Sequence, residues 1–68
     1  MNGYRLILAS DILDRDGLGL ELYDPDGRQI AEIFRDDETG TRRFSSVGRL
    51  DIDPAVLSWF LAKADEQL

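Results

Sequence analysis

Three acidic turns punctuate the first two-thirds of this chain and limit what it can fold into. Asp14-Arg15-Asp16-Gly17 and Asp24-Pro25-Asp26-Gly27 share the pattern Asp-x-Asp-Gly, and Asp36-Asp37-Glu38-Thr39-Gly40 is a looser third copy. The pattern suits a tight turn, because a leading Asp bonds the backbone ahead of it and a closing Gly supplies positive φ. Pro25 presets φ at the second turn position, so 24–27 is the strongest hairpin signal in the chain. Between the turns lie apolar or β-branched runs at 4–13, 18–23, 28–35 and 41–47. Short strands at this spacing read as an antiparallel meander, and the repeat unit is too short for a solenoid.

The last element follows a different period. Asp53 is a good N-cap, Pro54 fits the first helical position, and 54–68 has no interior Gly or Pro. Leu57, Phe60, Leu61, Ala64 and Leu68 fall on one helical stripe, which predicts the face that covers the sheet. Residues 48–52 form the connector, with Leu50 and Ile52 expected under the helix start. The expected architecture is α+β: a four-stranded antiparallel β-meander followed by one C-terminal α-helix packed on one sheet face, ββββα, as a single small domain over 1–68.

Composition narrows the function classes. The 68 residues contain no Cys and no His, which removes disulfides, thiolate sites and the commonest acid–base catalyst and metal ligand. A net charge of -6 argues against a general nucleic-acid binder, which needs basic surface to neutralise phosphates. The longest early apolar run, Leu6-Ile7-Leu8-Ala9, is too short for a signal-peptide core or a membrane span. Asn2 rather than Gly follows Met1, so there is no acceptor for myristate. A full-length cytoplasmic protein with no membrane association is the expectation.

The motifs that could carry chemistry are incomplete. Placing Gly17 at the sixth position of a calcium loop puts Ile12 first and Tyr23 twelfth, and placing Gly27 there gives Leu22 and Ile33. Asp and Glu are required at those places, so neither turn is a calcium loop, and no metal or other cofactor is expected. Asp36, Asp37 and Glu38 read as a solvated hairpin tip. Ser10, Ser45, Ser46 and Ser58 have no His to activate them, and Lys63 has no nucleophile motif around it. Gly17-Leu18-Gly19 lacks the third glycine of a dinucleotide fingerprint and leads into a strand. No enzymatic activity is expected.

Association is the functional signal that remains. On the third strand Ile30 and Phe34 point one way and Ala31 and Ile33 the other, so both sheet faces carry apolar side chains while one helix follows. Trp59 lies about 160° around the helix from Leu57 and faces away from the expected core stripe. Ala55 and Ala62 are its small neighbours, with Val56 beside them, a shape that another surface can accept. A second copy of the chain is the expected cover, which makes Trp59, Ala55, Ala62, Val56, Ile30 and Phe34 the candidate interaction residues. The expected function is a small non-catalytic interaction or regulatory module that self-associates as a homodimer. Two alternatives belong to other classes. One is an acidic inhibitor, of the immunity-protein or DNA-mimic kind, presenting carboxylates to a basic protein partner. The weaker one is a single-stranded nucleic-acid module using Arg35, Arg42 and Arg43 with Tyr23, Phe34 and Phe44.

Overall fold

The computed structural model describes residues 1–10 and 16–68. Four strands, β1 (Arg5–Ser10), β2 (Gly17–Tyr23), β3 (Gln29–Asp36) and β4 (Arg42–Ser46), precede the helix α1 (Pro54–Gln67). The sheet is antiparallel throughout, in the order β1-β2-β3-β4, and α1 packs against it, as the turn spacing and the terminal helical period predict. The first turn at 14–17 falls largely outside the described residues.

The second and third turns are built alike. The Asp24 carboxylate accepts from the Asp26 and Arg28 amides at 2.9 Å each, and the Asp36 carboxylate accepts from Glu38 and Thr39 at 2.8 and 3.4 Å. In each turn the main-chain oxygen of the leading Asp accepts from the closing glycine, Gly27 or Gly40. Gly27 holds φ at 87°, where a Cβ is disfavoured, so the local chemistry read from the sequence is the chemistry that closes the hairpin. Gly17 departs from its expected role. It has no positive φ and pairs with Asp36 as the first residue of β2.

The core lies between α1 and one sheet face. Leu20, Leu22, Ala31 and Ile33 from the two central strands meet Val56, Phe60 and Ala64 from the helix. Asp53 caps α1 by accepting from the Ala55 amide at 2.8 Å. The last helical turn has no basic residue of its own, and Arg35 of β3 supplies one by donating to the Leu68 main-chain oxygen at 2.7 Å.

The helix face is the main correction. Val56 is 4% exposed and belongs to the core, whereas Leu61, assigned to the covering stripe, is 45% exposed. Taking 100° per residue, α1 is rolled by roughly 55° from the orientation expected. Phe60 and Ala64 are flanked by apolar residues on both sides, Val56 and Trp59 on one and Leu57 and Leu61 on the other. The roll buries the Val56 flank.

The expectation of an uncovered apolar sheet face also changes. The register shifts between Leu22 and Tyr23, leaving Ile30 without a direct partner on β2, and Ile30 packs half-buried against the core rather than sharing a face with Phe34. Phe34 does lie on the face opposite α1, but its ring presses on Gly17. A Cβ on Gly17 would meet Phe34 Cζ at 2.5 Å and the Arg35 carbonyl oxygen closer still. Phe34 stands opposite Gly19 and its ring reaches Gly17, so two glycines of β2 leave room for the ring on the sheet, and Phe34 is buried on this face.

Candidate functional site

Alternation fixes what each sheet surface offers. Opposite the helix the strands present Arg5 and Ile7 from β1, Glu21 and Tyr23 from β2, Glu32 and Phe34 from β3, and Arg43 and Ser45 from β4. This open face is mostly polar. Glu21 and Glu32 stand directly across from each other, a like-charge pair. The Tyr23 hydroxyl donates to Glu21 Oε1 at 2.9 Å. That bond to a carboxylate, with burial and the Glu21 charge adding to it, raises the Tyr23 hydroxyl above the usual phenol range, while the Arg5 charge on the neighbouring strand opposes the rise.

At one end of this face lies an open depression of about 380 Å³ lined by Phe34 and Arg43 together with Asp16, Asp36 and Glu38. An arginine and an aromatic ring do meet there, but three carboxylates surround them. A second depression, at the other end of the sheet, is bordered by Asp24, Asp26 and Asp51 with Arg28 and Arg49. The acidic side chains that border the two depressions thus lie at opposite ends of the sheet, with Glu21 and Glu32 between them on the open face. Several are matched: Arg28 contacts Asp24 at 3.5 Å and Asp26 at 3.3 Å, and Arg35 contacts Asp37 at 3.5 Å. Among the described residues no group of three or more acidic side chains is placed to hold a metal ion, and no helix is long and apolar enough to cross a membrane.

The six residues singled out from the sequence do not form one surface. Ala55 and Ala62 are exposed, Val56 is buried in the core, and Trp59 is half-buried against that core instead of pointing away from it. Ile30 packs at the core margin, and Phe34 is on the opposite side of the sheet. The exposed large apolar side chains lie elsewhere. Ile7 and Leu8 are on β1, Phe44 is on β4 with Val47 just beyond it, and Leu61 is on the helix.

Phe44, Leu61 and the outer edge of β4 come together at one margin. Arg42 donates to Asp65 at 3.0 Å, and the Phe44 and Phe60 rings lie 6.3 Å apart at 60°. These contacts run α1 antiparallel to β4. Leu61, one turn before Asp65, therefore stands at the level of Phe44, two residues after Arg42. Phe44 is 46% exposed and Leu57, a further turn back, is half-buried. All five residues of β4 are exposed, and among the described residues no strand pairs with its outer side.

The sequence signal for this margin is the order of a meander, which makes the fourth strand an edge, combined with one aromatic residue in a polar strand. No protein-family model, curated protein or solved structure matches this chain.

Proposed function

We propose that this protein is a small non-catalytic interaction module that self-associates as a homodimer. The observation that supports this reading is the margin where Phe44 and Leu61, each nearly half exposed, stand beside the open edge of β4. An edge strand offers a row of main-chain donors and acceptors, and apolar side chains next to it add desolvation to the hydrogen bonding. Charge favours the same place. The chain carries -6 in all, whereas β4 contains Arg42 and Arg43 and no acidic residue, so the excess carboxylates do not meet along this strand, and Arg42 is already paired with Asp65 at 3.0 Å.

A contact made by one five-residue edge strand and the side chains beside it is expected to fall short of the roughly 800 Å² per partner of a standard interface, so the expected affinity is in the micromolar range. Sedimentation equilibrium from low to high micromolar concentration tests the reading. The apparent mass is expected to rise from the 7.7 kDa of one chain towards twice that value. A mass that stays at one chain throughout overturns it.

A further inference from the structure

The outward groups of β4 and the side chains that accompany them have a two-fold self-complementarity. The Asp36 amide donates to Thr41 O and the Val47 amide to Ile30 O, both at 2.9 Å. Hydrogen-bonded positions alternate along an antiparallel pair, so Thr41, Arg43, Ser45 and Val47 turn their main-chain groups inward to β3. Arg42, Phe44 and Ser46 turn theirs outward. Placing a second β4 antiparallel to the first with Phe44 opposite Phe44 aligns those outward groups. Phe44 then exchanges both bonds with its counterpart, and Arg42 exchanges both with Ser46 of the second copy, on the order of six main-chain hydrogen bonds in all.

The side chains fit the same register. On the helix side the row Leu8, Leu20, Ile33 and Phe44 continues through Phe44 of the second copy into its own Ile33, with Leu61 of each copy beside the central pair. Aromatic residues directly opposite each other stabilise such a pairing. Arg42 faces Ser46 of the second copy, and Arg43 faces Ser45 on the open face, so no arginine is directly opposite another. Arg43 also comes into line with the row holding Glu21 and Glu32, bringing a cation to the side of two facing carboxylates.

Resting on the self-association proposed above, we infer that two copies join through β4, antiparallel about Phe44, into one continuous eight-stranded sheet with both helices on the same face. The contact is isologous, so it closes at two copies instead of propagating.

Two variants separate this register from dimerisation in general. Ser46→Pro removes an outward amide and leaves the inward ladder to β3 intact, a position where an edge strand tolerates proline. It is expected to retain the circular dichroism of the wild type and to weaken the dimer by about tenfold or more. The second experiment uses a chain that has no cysteine of its own. An equal mixture of Arg43→Cys and Ser45→Cys proteins is oxidised, and the mixed disulfide is expected in preference to either symmetric one. Directly opposed positions 43 and 45 bring Cα atoms to about 4.5 Å, within disulfide reach, whereas 43 and 43 are diagonal and beyond it.

A wild type that dimerises while Ser46→Pro pairs equally well and no mixed disulfide forms overturns this register. That result leaves self-association standing and places the contact elsewhere, with the Ile7 and Leu8 edge of β1 the next candidate. A wild type monomeric at high micromolar concentration overturns both readings together.

Discussion

Replacing Gly17 with alanine tests how Phe34 is covered on the face that α1 does not reach. The added methyl group would stand 2.5 Å from Phe34 Cζ and closer still to the Arg35 carbonyl oxygen, so both a ring and a strand backbone have to move. Overpacking of this kind costs about 1–3 kcal/mol, and the backbone contact puts this site at the upper end. A domain of this length has a total stability of roughly 3–10 kcal/mol at typical values per residue, so the variant loses a third of it or more. Gly27→Ala is the control. The space there is open, with Arg5 Nη2 at 3.9 Å the near neighbour, and only the φ of 87° opposes a side chain, at about 1 kcal/mol. Urea unfolding followed by circular dichroism measures both. With a slope near 1 kcal/mol per molar, the Gly17→Ala midpoint is expected to fall by about 3 M and the Gly27→Ala midpoint by about 1 M. Phe34→Ala should cost less in the Gly17→Ala background than in the wild type, because the ring contact it removes is then a strained one. Equal midpoints for the two glycine variants would mean that the Phe34 ring and the Arg35 carbonyl do not crowd position 17.

Other consequences are as direct. At concentrations too low for association, Val56→Ala should cost about 2 kcal/mol in urea unfolding and Leu61→Ala less than about 1 kcal/mol; the reverse order contradicts the observed roll of α1. Phenolate absorbance in a Tyr4→Phe background should place the Tyr23 titration above 10.0, and Glu21→Gln should bring it back towards that value. The sign follows from the raised hydroxyl: its stabilising contribution is complete below pH about 10 and is lost as pH rises through the folded-state value. A Tyr23 titration at or below 10.0 removes the Glu21 bond as its cause. Calorimetric titration with calcium should reveal no micromolar site, since neither glycine turn has the first and last loop ligands; a stoichiometric site would contradict that.

The parts of this fold that local chemistry governs are legible in the sequence. Asp24 and Asp36 bond the amides ahead of them, Gly27 takes positive φ, and Asp53 caps the helix because each outcome depends on a few consecutive residues. The helix roll was not legible. Val56 with Trp59 and Leu57 with Leu61 make the two flanks of Phe60 equally apolar, and only packing against Ala31 and Ile33 decides between them. Strict alternation gave Ile30 to the open face, and the irregular register after Leu22 is what takes it to the core margin. Phe34 implied an exposed apolar face, yet it is buried with its ring against Gly17, a diagonal contact that strand alternation does not register. The β4 margin combines both kinds of information. Its edge position follows from the meander, whereas the side to which Phe44 turns its amide depends on the register with β3.

Amide hydrogen exchange along β4, measured at two protein concentrations, distinguishes a paired edge from an open one. The Arg43 and Ser45 amides face β3 and should be protected at both concentrations. The Phe44 amide faces outward. It should exchange slowly when the protein is concentrated enough to pair and quickly on dilution, with Arg42 and Ser46 following it. Fast exchange at Phe44 under both conditions, with Arg43 and Ser45 still protected, would contradict pairing through β4.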